Sequence, residues 1–151
     1  MLGKLLFRYL MRFKWLLVAV LVFQFASAMA ALYLPSLNAD IIDEGVANGD
    51  TGYIIRTGLV MLAVTFGQIV ASIIATAAAA RSAMGAGRDI RADVFRKVSS
   101  FSEREVSQFG AGSLITRNTN DVQQVQMLAM MGATMLVQAP MLAIGGIIMA
   151  L

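Results

Sequence analysis

The sequence predicts an all-α membrane protein, and two observations carry that prediction. Residues 15–37, 57–80 and 127–151 contain no Asp, Glu, Lys or Arg, and a helix of that length crosses the roughly 30 Å of bilayer hydrocarbon. Hydrophobic residues make up 58% of the 151-residue chain and charged ones only 14%, a balance that lipid contact explains and a soluble core does not. The expected spans are about 15–37, 53–80 and 127–151, with a polar segment at 81–126. Cysteine and histidine are both absent, which excludes disulfides, thiolate nucleophiles, imidazole bases and the usual zinc sites. A pI near 9.7 raises nucleic acid as a partner. The bases, however, flank the apolar runs instead of forming one basic and aromatic patch, so membrane topology is the reading and no nucleic acid is expected.

The first fourteen residues carry Lys4, Arg8, Arg12 and Lys14 with no acid, and the loop after the first span carries Asp40, Asp43, Glu44 and Asp50 with no base. By the positive-inside rule the N-terminus is expected in the cytoplasm and that loop outside. Residues 16–25 followed by Ala26, Ser27 and Ala28 resemble a signal peptide with a small-residue cleavage site. The apolar run continues through Ala31, Leu32, Tyr33 and Leu34, a full bilayer thickness, which favours a retained span. Pro35 removes a backbone donor near the outer end and is expected to bend the helix there. Asn48, Gly49 and Asp50 read as a turn into the second helix at Tyr53, so the outer loop is too short for a folded sensor domain. Arg56, at the outer edge of the second span, is expected to reach the headgroups.

Arg81, Arg88, Arg91, Arg96, Lys97, Arg104 and Arg117 return the polar segment to the cytoplasm. Met84, Arg91, Val94, Val98 and Phe101 recur at helical spacing, and Asp93 and Lys97 form a favourable i,i+4 pair. The second span is therefore expected to continue as a helix for about 30 Å beyond the membrane. Ser102 and Glu105 have the spacing of a capping box and Phe101 and Val106 that of a hydrophobic staple, predicting a new helix over 103–109 that Gly110 ends. So short a helix needs external support, and it offers Val106 and Phe109 for that contact. Ser113 then reads as a cap, and Leu114, Ile115, Val122, Val125 and Ala129 lead back to the third span, with Arg117 and Asp121 paired one turn apart. The third stretch runs to the last residue, so the expectation is the front part of a larger membrane domain.

Other features have plainer readings. Gly85 and Gly87 begin a G-x-G that follows a membrane helix and no strand, so close helix packing outweighs a dinucleotide site. Gln24, Gln68 and Gln138 are polar groups within spans: neighbouring helices are their commonest partners, and a substrate path is the alternative. Six of the eleven methionines fall in 127–149, where lipid or helix contact is the ordinary role and a plastic binding pocket the sharper one.

Two long helices carrying a small transverse helix have the geometry of an intracellular coupling loop. The runs RSAMGAGRDIR at 81–91, Val94 with Phe95, VSSFS at 98–102, Phe109, and SLITRNTND at 113–121 resemble the first intracellular loop of bacterial ABC exporters. Leu34 with Pro35, IIDEGV at 41–46 and NGD at 48–50 are similar to the same family's first outer loop. The match is closest to multidrug-type or lipid-type half-transporters that often work as heterodimers. The resemblance implies a type IV exporter fold, of which this chain is the N-terminal half of one transmembrane domain, in the plasma membrane of a bacterium. It implies as partners the remaining transmembrane helices, a second half-transporter and nucleotide-binding domains that hold ATP and Mg. It also implies that 103–109, with Ser102, Glu105, Val106 and Phe109, is the first coupling helix. No G-x-x-x-x-G-K-[ST] sequence occurs here, so no cofactor or catalytic residue is expected in this chain itself. A membrane sensor whose second span feeds a cytoplasmic helical module is the alternative, disfavoured by the short outer loop and the third span.

Overall fold

The structure is a computed structural model that describes residues 2–102, 104, 106–107 and 110–150, with the backbone alone at Leu2, Lys4, Leu5, Ala111, Met149 and Ala150. Among the described residues there is no strand, and the helices follow in chain order. Helix α1, Leu2–Leu10, forms because Leu2, Leu5, Leu6, Tyr9 and Leu10 recur at the spacing of one helix face, with Lys4 and Arg8 off it. A 3-10 turn, Met11–Phe13, joins it to α2, Lys14–Asp40. Helix α3 runs unbroken over Thr51–Ser99, 49 residues. At 1.5 Å per residue that is about 73 Å, more than twice the hydrocarbon thickness. After the segment that follows come α4, Ala111–Thr116, a π-helical turn, Arg117–Asp121, and α5, Val122–Ala150. Three stretches, Leu6–Val46, Thr51–Ser99 and Gly112–Ile148, are helical, long and apolar enough to cross a membrane. With their abundant exposed Leu, Ile, Val and Phe, they make this a multi-pass membrane protein.

The chain divides into two units, Met1–Val18 with Ala78–Ala133, and Ala19–Ala77 with Thr134–Leu151. In the second, α2 buries Val20, Gln24, Ser27, Ala28 and Leu37, and α3 contributes Ala71 and Ala75. The remaining faces carry Leu21, Val22, Phe25, Ile69 and Ile73 outward, the pattern of a helix bathed in lipid. Helix α2 continues through Pro35 to Asp40 and ends in a π-helical turn, Ile41–Val46. Gly49 takes the left-handed φ of +68° in the turn between α2 and α3. Asp50, three residues before the expected Tyr53, caps α3: its Oδ1 accepts the Tyr53 N–H at 3.0 Å.

In the first unit the buried face of α3 is Ala78, Ala79, Ser82, Ala83, Ala86 and Ile90, joined by Val122 and Ala129 of α5. Small side chains let helix backbones approach closely where lipid supplies no hydrophobic drive to association. Met84, one of the residues that recur at helical spacing, is 58% exposed. The packed face is the alanine run on the other side of the helix, whose small side chains admit a close neighbour.

Candidate functional site

The polar end of the first unit is built where α3 stops. Ser100 and Phe101 turn their N–H groups back to the Lys97 and Val98 carbonyls at 3.1 and 3.0 Å. The Val106 N–H then donates to Ser102 O at 3.0 Å and the Gly110 N–H to Val106 O at 2.9 Å, so Arg104, Val106 and Ser107 lie in helical turns. Glu105 and Phe109, predicted with Ser102 and Val106 to make the short helix and its contact, lie outside the described residues, as do Glu103 and Gln108. Gly110 adopts φ 77° and ψ 128°, a conformation that an L side chain resists and glycine accepts freely. Helix α4 begins directly after it, at Ala111, and Leu114 N–H bonds to Gly110 O at 3.2 Å. Ser113 is therefore inside the first turn and is not the cap, because the glycine itself reverses the chain.

The helical strands flank an apolar groove of about 290 Å³ lined by Phe95, Val98, Val106, Leu114, Ile115, Asn118 and Thr119. Phe95 and Ile115 are 64% and 65% exposed. Among them Asn118 Oδ1 is buried without a hydrogen-bond partner among the described residues, an acceptor whose desolvation none of those residues offsets. A second hollow shares Val98 and Leu114 and is closed by Val94, Lys97, Phe101 and Arg117. Two expected ion pairs do not form. Arg117 and Asp121 are both exposed and make no ion pair among the described residues, since a solvated pair gains too little to fix two long side chains. Asp93 is taken by Arg96 and Tyr9, and Lys97 instead sits 5.9 Å from the Phe101 ring centroid.

On its other flank α3 meets the N-terminal segment, residue by residue. Tyr9 Oη donates to Asp93 Oδ2 at 2.6 Å, Arg12 Nη1 donates to Asp89 Oδ2 at 3.0 Å, and the Phe13 ring covers Gly85, where a Cβ would overlap it. Positions 85, 89 and 93 lie one helical turn apart on α3. The Tyr9 bond holds the Asp93 carboxyl below its ordinary range, with Arg96 adding to the effect. The same bond raises the Tyr9 phenol, with its partial burial assisting. From α5, Gln126 accepts Arg91 Nη2 at 3.0 Å, donates to Met84 O at 3.5 Å and lies on Gly87, where a Cβ would overlap its side chain.

In the second unit the structure brings together two of the three predicted glutamines. Gln24 Nε2 donates to Gln138 Oε1 at 2.8 Å, with Gln24 only 5% exposed. Gln68 is half-buried and makes no side-chain hydrogen bond among the described residues. Neither unit gathers His, Cys, Asp or Glu into a metal-holding group among the described residues.

The family model for the ABC transporter transmembrane region matches residues 17–151, which take in the long helices and the polar segment between them in sequence. The chain belongs to the ABC transporter transmembrane region family. An uncharacterized ABC transporter ATP-binding protein of Mycobacterium tuberculosis is 46% identical over 151 residues, all of this chain and 26% of the relative. A counterpart in Mycobacterium bovis is equally similar. One from Bacillus subtilis is 36% identical over 120 residues, 80% of this chain and 21% of its own length. The chain thus spans about a quarter of the mycobacterial relatives. The all-α reading and the resemblance to the ABC transporters both hold. This ABC transporter membrane domain also contains contacts that sequence reasoning missed, those of Tyr9, Arg12 and Gln126. The first two had a signal: Leu2, Leu5, Leu6 and Tyr9 share one helical face, which marks the N-terminal segment as a packed helix. Gln126 had none, because its role depends on which glycine faces it.

Proposed function

We propose that this chain forms the first three membrane helices of one transmembrane domain of an ATP-driven exporter, and that segment 103–109 couples those helices to nucleotide-binding domains of the parent protein. ATP and Mg bind to those domains and not to this chain. A second half-transporter completes the translocation path, and the N-terminus lies on the cytoplasmic side of the bacterial plasma membrane. The observation that carries this reading is the uncovered groove at the end of α3. Its walls, Phe95, Val98, Val106, Leu114 and Ile115, are apolar, and Asn118 Oδ1 is buried there without a donor among the described residues. Such a surface gains free energy when a partner with one donor and an apolar face seats on it. Gln24 and Gln138 are taken up by each other, which leaves Gln68, half-buried and without a side-chain hydrogen bond among the described residues, as the polar group assigned to the path itself.

The test uses Ile115→Asp in the full-length protein reconstituted in vesicles. Ile115 is exposed in this chain, so the fold tolerates the carboxylate, whereas an interface does not. ATP-driven substrate uptake into inside-out vesicles should drop about tenfold or more, while basal ATP hydrolysis and melting temperature stay near those of the parent. Undiminished uptake in a stably expressed Ile115→Asp protein sinks the coupling role.

A further inference from the structure

The first fourteen residues carry four bases and no acid, and the fold makes a shaped surface of that run. Along α1, the 3-10 turn and the start of α2, Phe7, Met11, Trp15 and Val18 are exposed by 64%, 46%, 78% and 47%. Their spacing of four, four and three residues puts them on one helical stripe. A helix with an apolar edge and basic flanks lies in the boundary between headgroups and acyl chains. Beside the stripe, one carboxylate organises two guanidinium groups: Asp89 Oδ2 accepts Arg12 Nη1 at 3.0 Å, and Asp89 Oδ1 accepts Arg88 Nη2 and Nε at 3.2 and 3.3 Å. Asp89 is largely enclosed, with 13% of its side chain exposed, while Arg12 and Arg88 remain 74% and 78% exposed. Arg8 stands one turn from Arg12 and has no ion pair among the described residues.

We propose that Arg8, Arg12 and Arg88 form a headgroup site for an anionic phospholipid in the leaflet adjoining the N-terminal helix. Three guanidinium groups against one carboxylate leave two positive charges for a phosphodiester. Asp89 fixes two of the arginines side by side, so less side-chain freedom is lost when the lipid arrives. Depth agrees with this role. Arg12 lies three residues before Trp15, about 5 Å of helix rise, and its contact with Asp89 holds Arg88 at the same level. The Phe7, Met11 and Trp15 stripe lies against the acyl chains, and Lys14, whose Nζ is 5.9 Å from the Trp15 ring centroid, borders it.

The full-length protein in phosphatidylcholine vesicles containing a minority of phosphatidylglycerol tests this. Bromine is carried on the acyl chains of one lipid or the other, and the Trp15 signal is taken as the difference from a Trp15→Phe protein. Quenching by brominated phosphatidylglycerol should exceed its mole-fraction share by about fivefold or more, the enrichment that roughly one arginine at the surface supplies. Arg8→Gln, which removes no packing contact, should lower that enrichment several-fold. Arg8→Gln with Arg88→Gln should abolish it, and Arg8→Lys should retain most of it. Mole-fraction quenching in the parent overturns the proposal. So does enrichment that survives the double substitution, which places the site elsewhere, or enrichment erased by inorganic phosphate, which makes it a soluble-anion site.

Discussion

Gln24 shows what a single polar residue does in an apolar span. Its amide is 5% exposed and donates to Gln138 across 2.8 Å; without that partner a buried donor is left unsatisfied. We expect Gln138→Leu to destabilise the protein by about 0.6–1.7 kcal/mol, the range of interhelical bonds in lipid. The pair Gln24→Leu with Gln138→Leu should recover much of that loss, because neither polar group remains to be desolvated. Melting curves of the three variants in detergent check this, and equal losses in single and double variants would count against a direct bond. Gly87 is the matching case of close approach, since any Cβ there displaces the Gln126 side chain that also holds Arg91. Gly87→Ala is expected to cost about 1–3 kcal/mol by overpacking. The same substitution made in a Gln126→Ala background should cost less, which a double-mutant cycle of melting temperatures resolves.

At the scale of elements, the N-terminal segment and α3 meet through Tyr9 with Asp93, Arg12 with Asp89 and Phe13 with Gly85. The pKa directions fix the pH dependence of this contact. Asp93 is lowered, so its contribution is present above the ordinary carboxyl value of 3.8 and is lost as pH falls through the lowered value. Tyr9 is raised, so its contribution is present below 10.0 and is lost as pH rises through the raised value. The melting-temperature gap between the parent and Tyr9→Phe should therefore be level from about pH 5 to about pH 9 and close at both extremes. A gap that opens and closes around neutrality would show that another group controls the contact. The end of α3 carries the opposite lesson. Asp93 to Lys97 has ideal i,i+4 spacing, yet Tyr9, 84 positions away in sequence, and the nearer Arg96 take the carboxylate.

At the scale of the whole molecule, the reading that the N-terminus and polar segment share one side of the membrane gives a labelling prediction. The chain has no cysteine, so single cysteines introduced at Ala47 and Ser107 report cleanly in a cysteine-free full-length background. Ala47 should react with an impermeant maleimide in intact cells and Ser107 only after permeabilisation; equal reaction of both would refute the arrangement. The sequence by itself determined the membrane class, three long helices, the turn at 48–50 and the family, because charge-free runs and turn residues act locally and need no partner to be read. It also marked Gln24 and Gln138 as polar groups that require satisfaction. Only the tertiary structure decided that these two satisfy each other, that alanines form the packed face of α3, and that Gly110 and not Ser113 starts α4. It likewise decided that Tyr9, Arg12 and Gln126 are the residues that clasp the polar end. Each of those outcomes depends on which helix face meets which neighbour. Periodicity places a residue on a face, but the face that is buried is chosen by close approach and by the partners available across the interface.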